Sequence, residues 1–139
     1  MKPVQLKLID GLHLEGHASS GHSVSLDAGA TVGGQGKGFM PSELLLTALG
    51  GCTSMDILSL LRKFGAPPTS FEVELEGIKR ETHPKSFTNI TAVYRIEGET
   101  SAEQALKAVR SSYEKYSVVA NSLRAAIEYK IILNGVEID

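Results

Sequence analysis

From Leu44 to Leu61 the chain carries almost nothing but apolar or small side chains, and helix signals bound that run at both ends. Pro41 suits a first helical position, Glu43 complements the positive end of the helix dipole, and Arg62 and Lys63 complement the negative end. The pattern predicts one helix over 41–63. A helix apolar on most of its surface must be buried on most of its surface, as a central core helix or as an oligomer interface. In its middle stand Gly50-Gly51-Cys52, which hold the only cysteine of the chain. Glycine inside a helix costs ~1 kcal/mol relative to alanine, so two in a row predict close approach to the backbone there, by another helix or by a ligand.

The rest reads mainly as strands. Val4, Leu6 and Leu8 alternate with polar residues, Asp10-Gly11 turns, and Leu12, Leu14, Val24 and Leu26 continue the pattern, which predicts a three-stranded antiparallel meander whose first hairpin has one buried face. A glycine-rich loop, 28–38, leads to the helix and reads as a flexible connection or a lid. After the break at Gly65-Ala66-Pro67-Pro68, residues Phe71 to Glu97 predict a long hairpin turning near His83-Pro84-Lys85. Two overlapping capping boxes, Thr100 to Glu103 and Ser101 to Gln104, start a second helix with Ala105, Val109, Ser112 and Tyr116 in a stripe. A short helical piece is expected around 121–126. A closing hairpin turns at Asn134-Gly135.

At 139 residues, 42% hydrophobic and 22% charged, the chain fits one globular domain, 1–139, with a real core. The formal charge of -2, with no basic run, argues against nucleic acid and anionic membrane partners. The apolar helix approaches the ~18 residues of a membrane span, but Asp56, Thr47, Ser54, Ser59 and the glycine pair in a strand-rich chain argue against that. Met1 to Leu6 lacks a signal-peptide core and one cysteine forms no internal disulfide, so the expected location is cytoplasmic. The loop 33–38 fails the P-loop pattern, because Thr31 stands for the first glycine and Gly38 for the Ser/Thr. His13, His17, His22 and His83 are not spaced to share a helix face, so no metal or cofactor is expected.

Three stretches, Pro41-Ser42-Glu43-Leu44-Leu45-Leu46, Gly50-Gly51-Cys52 and Tyr116-Ser117-Val118-Val119-Ala120-Asn121-Ser122-Leu123, resemble the OsmC/Ohr family, the osmotically inducible and organic hydroperoxide resistance proteins. The order of strands and helices fits over nearly the whole chain. The resemblance implies an α+β, OsmC-like fold, antiparallel sheets around a long buried central helix, in an intertwined homodimer with two equivalent sites at the subunit interface and a stress-response role. It also implies that Cys52 attacks peroxide and that Glu43 holds a cation against the sulfur. In the family's peroxidases a second cysteine resolves the product, and Ser117 stands in its position here. The family also supplies an N-terminal arginine, whereas no arginine precedes Arg62 in this chain.

On the residues alone, Cys52 reads as a small buried hydrophobe, and Asp56 one turn on would, if near, disfavour a second negative charge. Glu43 reads as a carboxylate at a helix start. Nine steps of ~100° put it opposite Cys52, so the two share a site only through a helix irregularity or a second subunit. Lys37, Arg80 or a residue of the partner chain are candidates for the cation. Ser117 reads as a helix cap whose hydroxyl can bond the sulfur but cannot resolve a sulfenic acid.

Two functions follow. One is a thiol-dependent peroxidase with Cys52 and Glu43 as catalytic residues and Ser117, Leu45, Leu49 and Met55 around an organic hydroperoxide, recycled by an external thiol reductant. The other is a redox-inactive dimer that binds a small apolar or thiol-bearing ligand, or a protein partner, in the same pocket.

Overall fold

The computed structural model describes all 139 residues, and the chain divides into two compact units, Met1–Leu45 and Leu46–Asp139. In the first, β1 (Gln5–Asp10), β2 (His13–His17) and β3 (Ser23–Leu26) form the expected antiparallel meander in the order β1-β2-β3. Gly11 takes the positive φ that the tight β1–β2 turn requires.

The expected buried face of the first hairpin is corrected. Every residue of β1 is exposed in the single chain, with Leu8 at 66%. Alternation shows which side chains share a face, not whether anything covers it.

The glycine-rich loop departs further from expectation. It holds a short 3-10 turn, Ala30–Val32, and is tied down by Asp27, which is only 3% exposed. One carboxylate oxygen of Asp27 accepts from the Ala28 N–H at 2.7 Å, and the other from Gln35 and Lys37 at 3.2 and 3.1 Å. Burial pushes that carboxyl up; the three N–H donors, with His13 nearby, outweigh it and hold the carboxyl below its ordinary value. At Gly34 a β-carbon would run into the Ala28 backbone, so glycine is required there. The loop is an organised structure rather than a flexible connection.

α1 (Pro41–Lys63) starts in the first unit and continues as the first element of the second. β4 (Ser70–Lys79) and β5 (Phe87–Glu97) follow as the predicted long hairpin, then α2 (Ala102–Ser111), a π-helical turn (Ser112–Tyr116), α3 (Val118–Ser122), β6 (Ala126–Leu133) and β7 (Val136–Ile138). The sheet order is β4-β5-β6-β7. β5 and β6 are parallel, because the helical segment between them returns the chain to the end of the sheet where β5 began. The second sheet is therefore mixed, not wholly antiparallel.

Of the two capping boxes one forms: Ser101 and Gln104 exchange side-chain and backbone hydrogen bonds, while the Thr100 hydroxyl donates to the Ala66 carbonyl at 2.9 Å. Ala105, Val109 and Ser112 are buried as the stripe required. Tyr116 is exposed, because the π-helical turn breaks the helical period before it.

α1 buries Leu49, Gly50, Thr53, Ile57 and Leu61, a stripe at i, i+4 spacing. Ile57 and Leu61 join Ala92, Tyr94, Ile96, Ala105, Ala108, Val109 and Ile131 in one core, each large aliphatic contributing about 1.5–3 kcal/mol. The expectation that most of the α1 surface is buried does not hold in the single chain, where Met55 is 72% exposed. By length and composition alone α1 would also cross a bilayer, yet its buried stripe packs on a sheet as a globular core helix does.

Candidate functional site

The two glycines of α1 do different things. At Gly50 a β-carbon would meet the side chains of Leu75 and Val73, so β4 accounts for that glycine. At Gly51 nothing lies within 4 Å, and the helix beside Cys52 has an open side.

Cys52 is half-buried and free. The Ser117 hydroxyl donates to its sulfur at 3.3 Å, and Ser117 itself is 1% exposed. The same oxygen accepts the Ala120 N–H at 3.1 Å, which caps α3. With one lone pair committed to the cap and the single proton aimed at sulfur, Ser117 is a fixed donor. The capping role read from sequence is therefore present. The helix it caps begins at Val118, not near 121, and Ala126 already belongs to β6.

The π-helical turn sets this geometry. Ser117 N–H donates to the Ser112 carbonyl at 2.7 Å, the i to i+5 bond of such a turn. Five steps of ~100° would carry two residues far round an α-helix, whereas the wider turn brings them back toward one side. Ser112 and Ser117 thus both reach α1: Ser117 meets Cys52, and the Ser112 hydroxyl donates to Asp56 Oδ2 at 3.0 Å. The side-chain amide of Asn121 bonds the Tyr113 and Ser117 carbonyls at 3.1 and 2.7 Å, bracing the turn.

Behind the sulfur lies a hydroxyl chain. Thr53 donates to the Leu49 carbonyl at 3.0 Å and is 2.5 Å from the Tyr94 hydroxyl, which is 2.7 Å from that of Tyr113. Because Thr53 spends its proton on the backbone, Tyr94 donates to Thr53 and Tyr113 donates to Tyr94. The Tyr113 ring stacks on Tyr129 with centroids 4.9 Å apart.

Burial first, and the neighbouring tyrosines second, push the Tyr94 hydroxyl far above its ordinary value, and burial raises Tyr113. A group whose folded value is raised contributes stability that is whole below its unfolded value and is lost as pH climbs above it. For tyrosine that loss begins near pH ~10, at ~1.4 kcal/mol per pH unit for each phenol that only the unfolded chain ionises. Melting temperature is expected to fall steeply above pH ~10, and less steeply in Tyr94→Phe. A flat profile up to about pH 11.5 would contradict this.

Of the other residues expected at the site, Glu43 accepts the Met40 N–H at 2.9 Å within the first unit. α1 is helical without interruption, so Glu43 and Cys52 stay on different sides of it. Lys37 presents its backbone N–H to Asp27, and Arg80 lies in the β4–β5 turn. Leu49 is fully buried in the single chain. Met55 is exposed, and Leu45 is half-buried in the first unit. Asp56 was read only as a neighbour of Cys52 one turn on. Ser112 was not among the residues expected here, and its signal was a five-residue spacing of serines, Ser112 to Ser117, that fits neither helix nor strand.

The chain matches the family described as OsmC-like protein over residues 34–132. Protein YhfA of Escherichia coli strain K12 is 34% identical over 125 residues, which span 88% of this chain and 90% of that protein. A hypothetical protein from Aquifex aeolicus VF5 superposes with a TM-score of 0.85 at 26% identity, covering 96% of both chains. An organic hydroperoxide resistance protein OsmC from Legionella pneumophila superposes with a TM-score of 0.68 at 17% identity, covering 96% of this chain and 97% of that one, a likeness of fold.

Proposed function

The chain belongs to the OsmC-like protein family, and we propose that it reduces organic hydroperoxides through Cys52, as a cytoplasmic homodimer of a single domain, 1–139, recycled by an external thiol. The observation that carries this reading is the Ser117 hydroxyl donating to the Cys52 sulfur at 3.3 Å. A fixed donor at the sulfur can hydrogen-bond the attacking sulfur or a bound peroxide oxygen. The thiolate attacks the outer oxygen of the hydroperoxide, the O–O bond breaks, and the alkoxide takes up a proton and leaves as the alcohol. Sulfur is oxidised to a sulfenic acid. Ser117 brings no sulfur, so an external thiol condenses with that acid, releasing water and leaving a mixed disulfide. A second thiol then displaces Cys52 as thiolate and departs as the external disulfide.

Apolar surface left open on α1 and β1 supports a second copy as its cover. In that dimer Glu43, which faces away from Cys52 on its own helix, would act across the interface by holding the cation that faces the sulfur. Leu45 and Met55 would give the alkyl group an apolar wall.

The test is a brief, near-stoichiometric pulse of organic hydroperoxide with a sulfenic-acid trap present. A trap adduct at Cys52, and loss of peroxide consumption in Cys52→Ser, are expected. Unmodified protein, with consumption equal in the variant, would leave the fold as a binding dimer instead.

A further inference from the structure

One charged side chain of the second unit belongs to the Cys52 neighbourhood by construction. Asp56 follows Cys52 by one helical turn on α1, so the β-carbons of the pair are about 5–6 Å apart. Its carboxylate is half-buried and held in place, because Ser112 donates to Oδ2 at 3.0 Å while Ser112 is itself fully buried. Within the single chain no lysine, arginine or histidine lies within ion-pair distance of it, and Ser112 is its only hydrogen-bond donor. The π-helical turn that aims Ser117 at the sulfur also aims Ser112 at this carboxylate, so thiol and charge are fixed by one structural element.

We infer that Asp56 sets the charge selectivity of the Cys52 thiol, admitting neutral and cationic thiols, disulfides and hydroperoxides and repelling anionic ones. The inference rests on the reading of Cys52 as a reactive thiol. Even beside the cation that Glu43 would hold across the interface, a carboxylate fixed one turn from the thiol biases the approach of charged reagents severalfold, a bias that Asp56→Asn removes. The recycling reductant is then a neutral or amine-bearing thiol rather than a carboxylate-bearing one.

Thiol–disulfide exchange reads this without peroxide. Cys52 thiolate attacks one sulfur of a symmetric disulfide, one half is attached to the protein, and the other leaves as thiolate. Intact-mass rates are taken with cystamine, bis(2-hydroxyethyl) disulfide and dithiodiglycolate, each normalised to the same reaction of a small free thiol. At low ionic strength the normalised cationic-to-anionic ratio is expected to be about tenfold or more. It should collapse toward one as salt is raised, and in Asp56→Asn, with the neutral reagent little changed. The salt series needs only the native chain, so a poorly folding variant does not blunt the test. A ratio near one at low salt, with the neutral disulfide reacting readily, overturns the inference alone. Failure of all three reagents overturns it together with the reactive-thiol reading.

Discussion

Ser117→Cys protein is expected to lose about 2 Da after a pulse of organic hydroperoxide, while the parent gains about 16 Da or a trap adduct. The Ser117 oxygen is 3.3 Å from the Cys52 sulfur, and a disulfide needs ~2.05 Å between sulfurs, a gap that the longer C–S bond and a small rotation would close. The sulfenic acid formed at Cys52 would then face a thiol at contact distance. It would condense within the chain, losing water, before an added trap or reductant could reach it. Trap labelling should drop by an order of magnitude or more, and turnover should become dependent on dithiols able to reduce an internal disulfide. Cysteine is a poorer helix cap than serine, so α3 should lose about 1 kcal/mol, small beside the chemical change. If the variant accumulates the same trap adduct as the parent, the two side chains do not meet in solution and the proposed site geometry is wrong.

Gly51→Leu is expected to separate the proposed homodimer. In the single chain this position is free of neighbours, so a monomer would accept the substitution and gain about 1 kcal/mol of helix propensity. Gly50 differs, since its space is already taken by Leu75 and Val73 of the same chain. If a second copy approaches the open side of α1, a leucine there costs about 3 kcal/mol of assembly, roughly a hundredfold in Kd. Size-exclusion chromatography with light scattering, run over a dilution series, reads the shift. A variant that keeps the parent's mass and melts higher would remove Gly51 from any interface and leave the exposed Met55 unexplained.

Much of the fold was legible because its signals are local. The ends of α1 follow from Pro41 and from Arg62-Lys63, the β4–β5 hairpin from alternation, and the last turn from Asn134-Gly135. What escaped depends on partners distant in sequence. Strand direction leaves no mark on alternation, so the parallel pairing of β5 with β6 could not be read. α3 was expected three residues late: Ser117 reads as a cap, but the β-branched pair Val118-Val119 that follows it does not resemble a helix start. The loop 28–38 looked mobile from its glycines, and only the position of Asp27 among its N–H groups shows otherwise. At the site, the pairing of Cys52 with Ser117 came from family resemblance. The pairing of Asp56 with Ser112 did not, since they meet only through a π-helical turn that no periodic template contains.

The parallel strand pair has a consequence for the order in which the chain folds. β4 and β5 need only a short turn to close, whereas β6 must wait until the 28 residues between Glu97 and Ala126 have been gathered, which makes its pairing the costlier and later step. Ser112, Ser117 and Asn121 all lie in that late segment. A chain halted with only its hairpin and α1 in place would therefore carry Cys52 without its hydrogen-bond donor. A nascent chain at that stage would expose its thiol before it could use it.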